Sequence, residues 1–305
     1  MWLVLAFLSA TLLGCYDSFK KEALQGNAVI PVLFFNTLFS SFIFLPFILL
    51  SATTNNLDST IFHVTSGGWE EHQYILLKSL IVLSSWIFGY FGMKHLPLTI
   101  VGPINATRPV MVLVGAMLVF GERLNLYQWI GVLLAVFSFF MLSRSGRKEG
   151  IDFKHDKWIY YVVLAAILGA VSGIYDKYLM ASPADGGIGL DKMMVQSWYT
   201  IYQCILMGVV LMLLWWPTRH RSTPFHWHWS IIFISIFLSS ADFMYFYSLS
   251  LPGAMISIVS MIRRGSVVVS FLFGAVIFHE KNLKSKVLDL ALVLLGLVFL
   301  YLGSH

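Results

Sequence analysis

The chain has 305 residues, of which 58% are hydrophobic and only 11% are charged, and its mean hydropathy is +0.79. An average soluble domain carries roughly 25% charged residues, so this composition excludes an ordinary soluble domain and predicts a protein that crosses a membrane several times. The net charge of +5 does not indicate nucleic-acid binding here, because membrane proteins concentrate basic residues in the loops on one side.

Ten apolar stretches are each long enough to cross a bilayer, which takes about 20 apolar residues for ~30 Å of hydrocarbon. The stretches lie at about 2–19, 29–51, 73–93, 97–120, 126–143, 158–179, 191–216, 229–250, 253–278 and 286–303. They predict an all-α polytopic protein of ten transmembrane helices. Because residues 144–157 are polar, we expect them to form a cytoplasmic linker between a first half at 1–143 and a second half at 158–305.

The two halves repeat short motifs in the same order. The matched motifs are Gly14-Cys-Tyr-Asp17 with Gly173-Ile-Tyr-Asp176, Tyr90, Leu96-Pro97 and Arg108 with Tyr245, Leu251-Pro252 and Arg263, and Phe120-Gly-Glu-Arg123 with Phe278-His-Glu-Lys281. An odd number of spans in each half makes the second half enter the membrane from the opposite side. The sequence therefore predicts two five-helix repeats of inverted topology, with a substrate site near the midplane between them.

Basic residues indicate which way the chain faces. They concentrate in the connections after the first, third, fifth, seventh and ninth spans, whereas the connection after the second span is acidic, with Asp58, Glu70 and Glu71. Positive loops face the cytoplasm in membrane proteins. We therefore predict a multi-pass protein of the cell (inner) membrane with both termini outside the cytoplasm.

The fourth and ninth predicted spans carry arginine near their centres: Arg108 in the fourth, and Arg263 and Arg264 in the ninth. A guanidinium at that depth costs about 2.5–3.5 kcal/mol on insertion scales, and it stays charged because its pKa is so high. Its paired donors suit phosphate or carboxylate. Asp242, in the middle of the eighth span, is the candidate counter-ion or proton-coupling group. Three arginines exceed this one carboxylate, so we predict that they bind an anionic substrate, with internal pairing to Asp242 alone as the alternative.

Further polar and aromatic side chains are predicted to line the same cavity. Their amide and hydroxyl groups can hydrogen-bond to a substrate, and their rings can stack on one. The predicted lining residues are Asn105, Trp86, Tyr90, Tyr199, Gln203 and Tyr245. The alternative for each aromatic residue is packing against lipid or a neighbouring helix.

Two other features suggest movement. Asp17 and Asp176 lie near the ends of the first and sixth spans beside lysines, where a gating role and an interfacial ion pair both account for them. Prolines and glycines in the fourth and ninth spans predict bends. These residues are Pro97, Pro103, Pro109, Pro252, Gly102, Gly253 and Gly265.

With these features, the chain resembles the drug/metabolite transporter superfamily and, within it, the EamA-type permeases. The resemblance rests on the two five-span repeats and on the Gly-Glu122-Arg-Leu and His-Glu280-Lys-Asn-Leu turns after the fourth and ninth spans. The arginines look like the basic site of the triose-phosphate and nucleotide-sugar translocators, where basic residues on these two helices hold the substrate phosphate. The resemblance implies a secondary transporter that works by alternating access. Exchange is favoured because an empty site of like charges resists closing.

Other functions stay open at this point. An exporter of aromatic amino acids or drugs would account for the 16% aromatic content, although it would not need buried arginines, and a lipid-headgroup flippase could use them. No protease, hydrolase or phosphate-loop motif occurs in the sequence. We therefore predict no enzyme activity, no catalytic residue, no cofactor and no metal site. The expected partners are an anionic small molecule and the lipid bilayer, with the protein a monomer or a weak homodimer.

Overall fold

A computed structural model describes residues 2–54, 56–108, 110–112, 125–147, 154–180, 183, 187–250, 259, 262–278 and 283–303. Every regular element in these ranges is helical, which confirms the all-α prediction for them. The helices are α1 (Trp2–Leu24), α2 (Val29–Thr53), α3 (Trp69–His95), α4 (Leu98–Ala106), α5 (Leu126–Arg147), α6 (Lys157–Met180), α7 (Lys192–Val210), α8 (Ser230–Ser250), α9 (Ser266–Val276) and α10 (Leu283–Leu302). A π-helical turn, Leu211–Trp215, extends α7.

Within the described ranges, six helices are long and apolar enough to cross a membrane: α1, α2, α3, α6, α7 with its π-helical turn, and α8. The protein is therefore a multi-pass membrane protein. The fourth and ninth predicted spans are described only in part, because residues 113–124 and 251–258 lie outside those ranges. The turns with Glu122 and Glu280, and the predicted bend residues Pro109, Pro252 and Gly253, lie outside them as well.

Several helices are longer than the apolar stretches that predicted them. α1 continues to Leu24, beyond the predicted end at about residue 19, and α3 begins at Trp69 rather than at about residue 73. Hydropathy marks the part of a helix inside hydrocarbon, whereas the helix itself continues until a turn ends it. Beyond α1, the chain turns at Gly26, whose φ of 63° is accessible mainly to glycine. Beyond α3, Pro97 restrains the preceding residue to extended backbone.

Helix contacts run largely between the two halves. α1 packs along α8 and α3 along α6, while α2 packs on α7, α4 on α9 and α5 on α10. The helices α1–α5 correspond in order to α6–α10. Exchanging each helix for its counterpart converts the contact of α1 with α8 into that of α6 with α3, and it leaves the other three contacts unchanged. The contacts of α1 with α9 and of α2 with α8 correspond in the same way to those of α6 with α4 and of α7 with α3. The largest buried apolar cluster accordingly draws residues from α1–α4 and from α6–α8.

Two glycines let α9 approach its neighbours closely. A Cβ at Gly14 of α1 would collide with the side chain of Val269, and a Cβ at Gly102 of α4 would lie 2.7 Å from Val267 Cγ2. Small residues permit such close helix contacts in membranes, where packing replaces the hydrophobic effect as the source of helix association. This packing holds the second-half arginine segment against α1 and α4 of the first half.

Candidate functional site

The backbone leaves the regular α-helix directly before Arg108. α4 ends at Ala106, and the Thr107 N–H donates to the Ile104 carbonyl at 3.2 Å, as does its hydroxyl at 2.7 Å. Proline follows at position 109 and has no N–H to donate to the Asn105 carbonyl, so the sequence interrupts the helical hydrogen-bond pattern at this point. The arginine therefore follows a break in the fourth segment.

A similar break follows the second-half arginines. Residues 262–264 are helical, and the Gly265 N–H then donates to the Ile262 carbonyl at 2.9 Å before α9 begins at Ser266. Transporters often build substrate sites where transmembrane helices are discontinuous. In both halves the arginines thus lie beside an irregular backbone segment.

Arg263 is held by other residues of the second half. Its Nη2 forms a salt bridge with Asp242 Oδ1, and its guanidinium carbon lies 4.3 Å from the centroid of the Tyr245 ring. The other Asp242 oxygen accepts a hydrogen bond from the Tyr199 hydroxyl at 3.0 Å. The Arg263 and Asp242 side chains are only 14% and 12% exposed. Four residues singled out from the sequence thus meet, and for Arg263 the internal pairing with Asp242 is observed.

Arg108 has a different environment. Its Nη2 donates to Asn105 Oδ1 at 3.0 Å, and its Nε, like that of Arg263, is buried without a hydrogen-bond partner among the described residues. A Cβ at Gly169 of α6 would lie 2.7 Å from the Arg108 Cζ and Nη1, so the guanidinium lies against the backbone of a second-half helix. Within the described chain, no carboxylate forms a salt bridge with Arg108.

Arg264 is partly buried and, among the residues described, forms neither a hydrogen bond nor a salt bridge. It lies close enough to Arg108 and Arg263 for electrostatic repulsion, and close enough to Asp17 for attraction. Charges interact strongly over such distances where water is scarce. The three arginines therefore form one positive region, and among the described residues a carboxylate in direct contact neutralises only Arg263.

α1 contributes a buried ion pair to this region. Lys20 Nζ lies 2.7 Å from Asp17 Oδ1, and the two side chains are 9% and 19% exposed. Lys20 Nζ also lies 4.2 Å from the centroid of the Tyr16 ring. Asp17 interacts electrostatically with Arg108 and Arg264. It therefore belongs to the polar centre of the protein rather than to a water-exposed helix end.

Tyr90 lies in a buried hydrogen-bond network beside Lys20. Its hydroxyl accepts from Asn36 Nδ2 at 3.0 Å and from the Tyr16 hydroxyl at 3.4 Å, and Tyr90 is 1% exposed. Asn36 Oδ1 in turn accepts from the Ser235 hydroxyl at 3.1 Å. This network joins α1, α2, α3 and α8. Asn36 was missed in the sequence, where the signal was an amide within the apolar run of α2.

The last two predicted lining residues differ in their surroundings. Gln203 lies one turn after Tyr199 on α7, is 1% exposed, and has no partner for its Nε2 among the described residues. Trp86 packs against the largest apolar cluster, and none of the described hydrogen bonds or ring contacts joins it to an arginine. Trp86 thus packs against neighbouring helices, which was the alternative to lining the substrate cavity.

Lys78 is a buried cation that the sequence reasoning missed. It forms a salt bridge with Asp176, its side chain is 4% exposed, and its Nζ lies 5.1 Å from the centroid of the Tyr199 ring. Because Lys78 belongs to α3 and Asp176 to α6, this pair joins the two halves. The signal was present, since a lysine inside an apolar span is as costly as an arginine there.

The fold and the site together define a class, that of multi-pass helical membrane proteins with interlocked halves and a charged interior. The sequence profile of the EamA-like transporter family matches residues 1–144 and again residues 156–302. The chain therefore belongs to the EamA-like transporter family of the drug/metabolite transporter superfamily, and it is a membrane transporter of small molecules.

Solved structures share the fold. One crystal structure, described only as that of a protein, aligns with a TM-score of 0.65 and 12% identity over 99% of this chain and 96% of that chain. An identity this low shows the fold alone. No curated protein sequence matches the chain significantly.

Proposed function

We propose that this transporter carries a small anionic metabolite, phosphorylated or carboxylated, which binds in the positive region that Arg108, Arg263 and Arg264 form. The observation that carries the proposal is that the arginine segments pack together, since Arg108 follows α4, Arg263 and Arg264 precede α9, and α4 packs on α9 in a chain that crosses the membrane. Repulsion between like charges is strong where water is scarce. A bound phosphate or carboxylate would relieve this repulsion, and it would accept hydrogen bonds from the paired N–H groups of a guanidinium.

The architecture supports alternating access between the halves. Helix contacts follow a pseudo-two-fold pattern, and five spans in each half would give the repeats opposite orientations. In transporters built this way the substrate binds between the repeats, and one repeat moves against the other around the site. The breaks beside Thr107 and Gly265 give the two arginine segments places to bend.

The charge of the empty site favours exchange over one-way transport. Closing the site without an anion would bury guanidinium groups that lack partners, which is costly in a low-dielectric interior. The return step should therefore require a second anion. Counterflow in proteoliposomes tests this: uptake of labelled anion should depend on unlabelled anion inside. Equal uptake into vesicles without internal anion would contradict exchange.

A binding screen tests the proposed substrate class. Thermal unfolding of the purified protein is measured with phosphorylated sugars, nucleotides, nucleotide sugars, carboxylates and cationic drugs. Stabilisation by anions is expected, and stabilisation confined to cations or neutral aromatic compounds would overturn the proposal. Arg264→Gln should weaken the response to anions. Arg221→Gln, at an exposed position in the connection between α7 and α8, is the matched control and should keep it.

A further inference from the structure

The charges around the three arginines can be counted. A central charged cluster within the described residues holds five basic side chains and three carboxylates: Lys20, Lys78, Arg108, Arg263, Arg264, Asp17, Asp176 and Asp242. Three of the basic side chains, Lys20, Lys78 and Arg263, each form a salt bridge with one of the carboxylates. The cluster therefore carries an excess of two positive charges.

The excess belongs to Arg108 and Arg264. Arg108 makes one side-chain hydrogen bond, to Asn105, and its Nε is buried without a partner among the described residues. Arg264 makes none with a residue in the described ranges. Each guanidinium has five N–H donors. The two together leave enough donors for the three terminal oxygens of a phosphoryl group or for a pair of carboxylates.

Comparison of the two halves shows why Arg108 has no carboxylate partner among the described residues. Arg108 and Arg263 occupy equivalent positions, and Asp242 stands three residues before Tyr245. The first-half residue that stands three before Tyr90 is Ile87, which packs against the apolar core. The first half thus lacks the carboxylate that neutralises an arginine in the second half.

We infer that Arg108 and Arg264 form a subsite for an anion that carries two negative charges, while Arg263 stays bound to Asp242. A doubly charged anion would neutralise both guanidinium groups, whereas a singly charged one would leave one cation without a partner. A phosphate monoester carries about −1.5 to −2 near neutral pH, and a dicarboxylate carries a similar charge. The inference rests on the proposed function, and it adds the charge of the substrate and a separate role for Arg263.

Methyl phosphate and dimethyl phosphate are suitable probes, because they share a tetrahedral phosphoryl group and differ by one charge. Their dissociation constants are measured by thermal stabilisation of the purified protein at pH 7.5 and fixed ionic strength. We expect methyl phosphate to bind at least about tenfold more tightly, which corresponds to about 1.4 kcal/mol. At pH 5 the difference should shrink, because the monoester gains a proton with a pKa of about 6.

Variants assign the preference to residues. Arg108→Gln and Arg264→Gln should each reduce the preference for methyl phosphate to about twofold or less. The double variant Arg263→Gln/Asp242→Asn should keep the preference, because it removes one charge of each sign. Arg221→Gln should behave like the native protein. A loss of preference in the double variant, together with its retention in Arg108→Gln, would overturn the assignment.

The outcomes separate this inference from the proposed function. If both probes bind with equal affinity, the charge class is wrong and anion transport still stands. If neither probe binds but the wider screen finds an anion, that anion is compared with its monomethyl ester. Tighter binding of the anion with the extra charge would support the inference, and equal binding would overturn it. If no anion of either series binds, the proposed function and this inference both fail.

Discussion

Arg108 and Arg263 occupy equivalent places in the two repeats, yet their surroundings differ. Arg263 has a carboxylate, a tyrosine ring and, through Asp242, a tyrosine hydroxyl. Arg108 has one amide partner and a glycine backbone against its guanidinium. A repeated motif therefore places the two arginines at equivalent positions. Whether each arginine has a carboxylate partner depends on single residues elsewhere in its half.

The two arginines also differ in which half of the chain contacts them. The partners of Arg263 on α7 and α8 belong to its own half, whereas Gly169, against which Arg108 lies, belongs to the opposite half. If the halves move against each other during transport, the Arg263 pair can travel as a unit. The surroundings of Arg108 would change with each movement.

The largest expected effect is on the stability of the paired arginine. Asp242→Asn should destabilise the protein by about 3–5 kcal/mol, because it leaves the Arg263 cation buried without a carboxylate. Thermal unfolding in one detergent measures this change. Arg108→Gln is the matched comparison and should leave the unfolding temperature unchanged or raise it. Equal losses of stability in Asp242→Asn and Arg108→Gln would show that the two arginines are not electrostatically different.

Ile87→Asp should make the first half resemble the second. The new carboxylate would pair with Arg108 and compete with the bound anion, which removes a charge-assisted interaction of about 1.5–3 kcal/mol. The affinity for methyl phosphate should fall by about 10- to 100-fold.

Ile87→Asn has nearly the same shape without the charge, so it should weaken binding much less. A similar loss of affinity in both variants of Ile87 would mean that packing, and not the charge of the new side chain, is responsible.

Gly169→Ala should displace Arg108 while leaving the fold intact. The added methyl group would lie 2.7 Å from the guanidinium carbon, and a flexible side-chain end can move away at little cost in stability. Anion affinity should fall by about tenfold, or about 1.4 kcal/mol. Gly89→Ala is the control, because its Cβ would lie 3.6 Å from Ala165 Cβ, an ordinary contact. Unchanged affinity in Gly169→Ala would show that the position of Arg108 does not matter for binding.

Tyr199→Phe should have the smallest effect. It removes the hydroxyl that donates to Asp242 at 3.0 Å, and a single hydrogen bond contributes about 0.5–1.5 kcal/mol. The unfolding temperature should fall slightly, and the preference for methyl phosphate over dimethyl phosphate should persist. A complete loss of binding would instead indicate that Tyr199 contacts the anion directly.

The sequence by itself determined the class of protein, and it predicted the inverted repeat and the arginines of the substrate site. Apolar length predicted helices that the structure describes, with errors of a few residues at helix ends such as that of α1. These properties are local, because hydropathy and motif spacing are read along one segment. The cost of an arginine in an apolar span is equally visible without a fold.

Only the tertiary structure decided which charges meet. Lys78 and Asp176 are 98 residues apart in the chain, and no local pattern indicates that they form a pair. Arg108 and Arg263 have matching motifs, so the sequence could not show that one of them is neutralised while the other lies against Gly169. The physical reason is that ion pairing depends on distances of a few ångströms between helices, and those distances arise from packing between halves that are far apart along the chain.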